Sequence, residues 1–476
     1  MLCLETTAVT SEYSFIIPAV SRNISLRSAL SYNNFRDIRT DLTSDISKMF
    51  SFRSFRDWVH QAINIILSYT ILLWYAKIFR PTSFVAASTM SDSIIPLLPN
   101  EITTEILLKL PPKSLLKFTS VSKSWLQLIS SPDFVKNHMK LTANDKGCSH
   151  HRVLFRRLKT NFKFCSFSSL FHKEQTIELL DMDSPVENPF FSTSVVGSVH
   201  GLICLFTQTR EGFLWNPTTR KCKELPKLQV KLTWDTSSFY NFYGFGYDDS
   251  RDDYKILVID YLGKISTLRT VVNIYSLRTD SWRTVDELQG IFLANYLGKF
   301  VNGKLYWVSS TGYSNHEVGN VISFDLANET WGKLELPICG EVDSHFKLGV
   351  VGSDLSLLYT CRLGVTTSDV WILKDCGANV SWTKLFTIEY PLNVVLYVYS
   401  PPTHTFSIQF RESNKGEILL LLPQVIMICD GSTRQLEVVD KFEKCTAVEI
   451  YVESLVDPVF IADQEPHNHG TSQSLS

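Results

Sequence analysis

The sequence predicts an α+β multidomain protein: a small three-helix unit followed by an all-β propeller of about six blades. Two observations carry this. Residues 94–138 hold three short helical segments with apolar residues at i, i+3 and i+4 spacing, punctuated by prolines. From residue 150 to 455, paired strands separated by polar turns recur in modules of about 50 residues, the period of small four-stranded sheets repeated around an axis.

The composition fits that division. Hydrophobic residues make up 44% of the 476 residues and charged residues 20%, as in ordinary globular chains. The 30 Phe, 18 Tyr and 10 Trp suit pleated surfaces, where aromatic rings pack well. A formal net charge of −2 gives no electrostatic footprint for a nucleic-acid backbone. The ten cysteines include no CxxC pair, so a zinc ribbon is not expected. Cys148 with His150 and His151 lacks a second pair of ligands nearby and reads as structural; no metal or other cofactor is expected. Buried thiols point to a reducing compartment.

Residues 1–89 read as an N-terminal extension rich in Ser, Arg and Asn. Within it, 58–76 (WVHQAINIILSYTILLWYA) carries no Asp, Glu, Lys or Arg and is flanked by basic residues. Its length just spans a bilayer, but His60, Gln61, Asn64, Ser68 and Thr70 lower its hydrophobicity, making it a borderline segment. Met90 opens the run MSDSIIPLLPNEI, which leads directly into the helical unit and reads as an alternative start.

A first helix is expected from about Asn100 to Leu110, with Asn100 as cap and Glu101 favoured at the positive N-terminus. Ile102, Ile106, Leu107 and Leu110 share one face. Pro111 and Pro112 stop it, and Pro112 opens a second helix carrying Leu115, Leu116 and Phe118. A third starts near Ser120 or Ser122, aligns Val121, Trp125 and Ile129, and is ended by Pro132. About 45 residues in three short helices cannot hide so many Leu, Ile and Trp side chains, so part of this surface is expected to meet a partner.

The run LPxEIxxEILxxLPxKSLxxFxxVxKxWxxLIxxPxF, with its prolines, Lys-Ser-Leu and Trp in register, resembles the F-box family. The resemblance implies a small Skp-type adaptor as partner and, through it, cullin and RING subunits of a ubiquitin ligase. The matching contact positions are Leu98, Pro99, Ile102, Ile106, Leu107, Leu110, Pro111, Leu115, Leu116, Val121, Trp125, Leu126, Ile129 and Pro132. Some of these must be core of the helical unit, and the sequence does not divide them.

Residues 141–149 (LTANDKGCS) read as a linker. The body, 150–455, then repeats two patterns. One is a short apolar run, as in Gly201-Leu-Ile-Cys-Leu and Lys255-Ile-Leu-Val-Ile. The other is a run, a polar turn and a return strand, as in FLWNPTTRKCKELP (213–226) and VISFDLANETWGKLELP (321–337). Turn formers recur at equivalent places: Asn216-Pro217, Ser276 to Asp280, Asp325 to Asn328, Asp430-Gly431. Residues 153–170 look like a degenerate first module, giving six, with five or seven as alternatives. GSVHGLICLF, FLWNPTTRKCKELP and YGFGYDDSRDDYKIL resemble the kelch-like F-box-associated domain of plant F-box proteins, which implies a target-binding domain without an active site. Residues 456–476 read as a polar tail.

Chemistry-bearing motifs are sparse. There is no GxSxG elbow, and the stretch from Gly290 to Lys299 has the wrong spacing for a P-loop. Gly244-Phe-Gly246 reads as a turn. Asp248, Asp249, Asp252 and Asp253 read as a solvated hairpin tip. His200 reads as a turn residue. Arg152, Arg156, Arg157, Lys159 and Lys163 read as a solvent-facing strand edge.

The leading functional expectation is a non-catalytic substrate receptor of an SCF-type cullin–RING ligase, acting in the cytoplasm or nucleus. Its target is not identified by the sequence. The alternative is a propeller hydrolase or oxidase with a helical cap. A third reading adds membrane tethering through 58–76. Target recognition is expected on the long departures from the repeat (227–243, 286–299, 309–320 and 386–414), where Trp234, Tyr240, Tyr243, Phe292, Tyr296 and Tyr313 are candidate anchors.

Overall fold

The computed structural model describes residues 100–459 apart from 146–147, 158–161, 172–176, 187–192, 229–238, 264–268, 286–287, 289, 311–317, 338–344, 361–366, 376–379, 391–408, 413–416, 423–424, 431–435 and 442–444. The apolar run 58–76 lies outside the described residues. Among those described, no helix is long and apolar enough to cross a membrane. The chain separates into two units, Met1–Leu110 with Lys117–Leu128, and Pro111–Leu116 with Ile129–Ser476.

Four helices replace the three expected: α1 (Asn100–Leu108), α2 (Pro112–Phe118), α3 (Lys123–Ile129) and α4 (Pro132–Ala143). Ser122 Oγ accepts the Trp125 amide at 3.2 Å and so caps α3, while the Phe118 and Trp125 rings meet edge to face at 5.7 Å. The extra helix corrects the reading of Pro132 as only a stop. Ser131 is extended (φ −69°, ψ 141°) and its Oγ accepts the Phe134 amide at 3.3 Å, so Pro132 sits in the first turn, where its missing N–H costs nothing. Helix α4 also takes up Leu141–Ala143, the first residues of the expected linker. Its Met139 joins the apolar cluster formed by Val199, Leu202 and Tyr247, and Lys136 Nζ pairs with Asp252 at 3.2 Å. The segment following the third helix is thus part of the β body and not a free spacer.

The β body has six antiparallel sheets. The first holds β1 (His151–Arg157), β2 (Phe162–Ser166) and β3 (Leu180–Met182); the second β4 (Thr193–Val199), β5 (Leu202–Thr207), β6 (Gly212–Asn216) and β7 (Lys221–Glu224). The third holds β8 (Phe239–Asp248), β9 (Asp253–Leu262), β10 (Arg269–Ser276) and β11 (Ser281–Val285). The fourth holds β12 (Phe292–Leu293), β13 (Lys299–Val301), β14 (Lys304–Ser310), β15 (Val318–Asp325) and β16 (Thr330–Leu334). The fifth holds β17 (His345–Val351), β18 (Asp354–Thr360), β19 (Thr367–Asp375) and β20 (Val380–Glu389); the sixth β21 (Gln409–Glu412), β22 (Ile418–Leu422), β23 (Val425–Cys429) and β24 (Leu436–Lys441).

The last strand, β25 (Cys445–Val452), pairs with β1 from His151↔Val452 to Arg157↔Cys445, giving the order β25-β1-β2-β3. Neighbouring inner strands then run β25, β4, β8, β13, β17, β21 and back to β25. This closes a six-bladed propeller, and closure leaves no sheet edge on the inner ring. The first module looked degenerate because its inner strand comes from the other end of the body.

Burial within a blade follows the sequence pattern. All six residues of β5 and nine of the ten in β9 are buried, whereas β7, β11 and β16 hold only exposed and half-buried residues at the rim. The outer turns share one chemistry. Asn216 Oδ1 accepts the Thr218 amide at 2.9 Å, and Asp325 Oδ1 accepts those of Ala327 and Asn328 at 3.0 and 2.9 Å. Ser276 Oγ accepts the Thr279 amide at 3.3 Å, and a left-handed residue follows each of the three turns: Arg220 (φ 58°), Asp280 (φ 49°) and Glu329 (φ 56°). Trp282 Nε1 and Trp382 Nε1 donate to the carbonyls of Pro226 and Glu335, at the end of the preceding blade, at 2.7 and 2.8 Å.

Several local readings need correction. Gly244 and Gly246 are not in a turn but inside β8. A Cβ there would lie 2.8 Å from Leu305 Cδ1 and 2.5 Å from Leu326 Cδ1, so their role is close approach of blades 3 and 4. Of the acidic cluster, only Asp249 and Asp252 are exposed; Asp248 and Asp253 are buried. Asp248 Oδ2 takes hydrogen bonds from Lys255 Nζ at 2.8 Å and Arg251 Nη1 at 3.1 Å. The basic run is no open edge, because β1 lies between β25 and β2. Arg156 is buried and donates to the Thr193 carbonyl at 2.8 Å, and Arg152 pairs with Glu453 at 2.9 Å. The body also runs past 455: Val456 is buried and its carbonyl accepts from Asn216 Nδ2 at 2.7 Å.

Candidate functional site

Exposure divides the expected adaptor contacts. Ile106, Leu107, Leu110, Leu115, Trp125 and Ile129 are buried and act as core. Ile102 and Val121 are half-buried, and Pro111 and Pro132 are exposed. Leu116 is 36% exposed on α2 and Leu126 47% exposed on α3, large apolar side chains that helix packing alone does not require outside. Leu98 and Pro99 lie outside the described residues.

The rings expected on target-binding loops are mostly packing groups. Tyr243 is buried in the core, its ring 4.6 Å from Phe206. Tyr296 stacks on Phe242 at 4.9 Å and 5°, and Phe292 on Tyr261 at 6.3 Å. Tyr240 is half-buried against the same cluster. The reason is backbone: Tyr240 and Tyr243 lie in β8 and Phe292 in β12, so these three rings are carried on strands. The Gly298 amide donates to the Tyr243 carbonyl at 2.7 Å, and the Tyr243 amide to that of Tyr296 at 2.8 Å. Trp234 and Tyr313 lie outside the described residues.

A cavity of about 210 Å³ lies on the propeller axis, lined by inner-strand residues of β25, β4, β8, β13 and β17. Lys299 and Glu449 line it together with Phe245, Phe300 and Val350. Both charged residues are more than nine-tenths buried. Burial holds the Lys299 ammonium below the ordinary lysine range, opposed by the charge of Glu449. His200, in the left-handed turn before Gly201, also lines the cavity; its Nδ1 lies 3.2 Å from the Tyr254 hydroxyl. Burial pulls its pKa down to about 4, against the charges of Asp249 and Asp252, so at neutral pH it is uncharged. Among the described residues no three His, Cys, Asp or Glu side chains gather as a metal site. Sequence reasoning passed over Lys299 and Glu449, because only ring closure brings residues 150 positions apart to one axis.

The family comparisons meet this geometry at both ends of the chain. Residues 95–137 match the F-box domain, and 156–458 match the F-box associated beta propeller domain. The chain is a plant F-box protein of the F-box-associated β-propeller family. Among its relatives is the F-box/kelch-repeat protein At3g23880 of Arabidopsis thaliana, 27% identical over 369 residues that cover 76% of this chain and 96% of that one. The F-box protein CPR1 of the same plant is 29% identical over 331 residues, 64% of this chain and 76% of its own. Solved structures resembling this F-box protein include the Aleuria aurantia lectin, 11% identical with a TM-score of 0.36, covering 60% of this chain and 90% of the lectin.

Proposed function

We propose that this F-box protein is the non-catalytic substrate receptor of an SCF-type cullin–RING ubiquitin ligase. The F-box docks on a Skp-type adaptor, the propeller captures a target protein, and ubiquitin is transferred by other subunits. Proximity is the mechanism: tethering the target beside the charged conjugating enzyme raises its effective concentration. The observation that carries the reading is the pairing of a matched F-box, with Leu116 and Leu126 exposed on their helices, with a matched propeller in one chain. Such a receptor works where soluble cullin complexes work, in the cytoplasm or nucleus.

The test is co-purification with a Skp-type adaptor. Leu116→Asp with Leu126→Asp places charges at exposed positions and leaves the buried Trp125 and Leu110 in place, so the fold is retained. Loss of adaptor from the double variant, with an unchanged circular dichroism spectrum, is the expected result. Undiminished co-purification would show that these leucines are not the contact, and no binding by the wild type would overturn the adaptor role.

A further inference from the structure

We infer that the axial cavity is a binding site for a small organic monocarboxylate with an apolar body, anchored by Lys299. Lys299 on β13 is 9% exposed and lines the cavity; its backbone pairs with Tyr306 of β14, while no ion pair joins its side chain to a described residue. A desolvated ammonium is costly unless an acceptor reaches it, and a carboxylate supplies the strongest acceptor a small molecule carries.

Glu449 does not fill that place. It has contacts of its own, and it acts on Lys299 through its charge, which opposes the lowering of the lysine pKa by burial.

The rest of the cavity selects the remainder of the ligand. Phe245, Phe300, Val350 and Ile450 provide the apolar part of the wall beside the single ammonium, and His151, Ser198, His200 and Glu449 belong to its polar part. The volume of about 210 Å³ falls below the roughly 300–1,000 Å³ of drug-sized sites, which limits the ligand to a small molecule. Inner strands of five blades build the walls, so the site is held by ring closure and not by one loop. The inference is independent of adaptor docking, which uses the helices.

The test is calorimetric titration of the full chain with benzoate and with its uncharged analogue benzamide, in the wild type and in Lys299→Met. The methionine matches the unbranched lysine stem as far as Cε and removes the ammonium. Benzoate should bind the wild type one to one, and benzamide at least about tenfold more weakly, as loss of a charge-assisted hydrogen bond implies. Lys299→Met should weaken benzoate by at least about tenfold and leave benzamide little changed. Absence of benzoate binding at millimolar concentration, equal affinities for the two probes, or undiminished benzoate binding by Lys299→Met would each overturn the assignment. Should Lys299→Met fail to fold, the benzoate and benzamide comparison on the wild type decides.

Discussion

Lys255→Met should destabilise the propeller by about 3 kcal/mol, the lower end of what removing one partner of a buried ion pair costs. The Lys255 side chain is 4% exposed and that of Asp248 0% exposed. Lys255 Nζ donates to Asp248 Oδ2 at 2.8 Å, to the Leu326 carbonyl at 2.6 Å and to Glu329 Oε1 at 3.1 Å, tying blade 3 to blade 4. Methionine fills the volume but leaves the Asp248 carboxylate with only Arg251, whose side chain is 55% exposed, as cationic partner. At about 2 °C per kcal/mol for a domain of this size, the melting temperature should fall by about 6 °C, and guanidinium denaturation should give the matching free energy. Asp248→Asn removes the charge while its Oδ1 still accepts the Ser250 and Arg251 amides. Combined with Lys255→Met, it should be less harmful than the two changes added, by more than about 1 kcal/mol.

The pH dependence carries a sign. Burial by itself would raise the Asp248 pKa, but hydrogen bonds from Lys255, Ser250 and Arg251, with the Lys255 charge, hold it below the usual carboxylate range. Its stabilisation is therefore complete above the unfolded value near 4 and disappears as pH falls toward the lower folded value. Lys255→Met should flatten that acid loss. A cost under about 1 kcal/mol, or strict additivity in the double variant, would refute the reasoning.

Three further outcomes follow from other contacts. Gly246→Ala should cost about 1–3 kcal/mol by denaturant titration, because the new Cβ would sit 2.5 Å from Leu326 Cδ1 and 2.6 Å from Phe300 Cδ2 inside packed sheet. His200, whose pKa burial lowers from 6.5 to about 4, should make stability fall with acidification between those values, by up to about 1.4 kcal/mol per pH unit, since the unfolded chain takes the proton first. His200→Asn, tolerant of the left-handed backbone, should flatten that slope in melting curves recorded across the window. Ending the chain after residue 444 removes β25 and opens the ring, so cooperative thermal unfolding should be lost; a sharp unchanged transition would show that closure by β25 is dispensable.

The helical unit was legible because its signals are local. Prolines, apolar spacing and the position of Trp125 all act within a turn or two. The fourth helix escaped because Ser131 capping and Pro132 stopping are the same residues read in opposite directions. The blades were legible through alternating burial and turn chemistry at Asn216, Asp325 and Ser276. The packing of Tyr243 and Tyr296 was not legible, because Tyr243 lies in β8 and its amide donates to the Tyr296 carbonyl of the neighbouring blade.

What the sequence determined by itself is the order of the units, the repeat and its turn residues, and the match to the F-box pattern, since these depend on spacing along the chain. Only the tertiary structure decided the closure of β25 on β1, the division of the helix leucines into buried core and exposed Leu116 and Leu126, and the meeting of Lys299 with Glu449 on the axis. Each of these depends on contacts between residues far apart in sequence, and no local propensity records which distant segment will occupy the other side of a pairing.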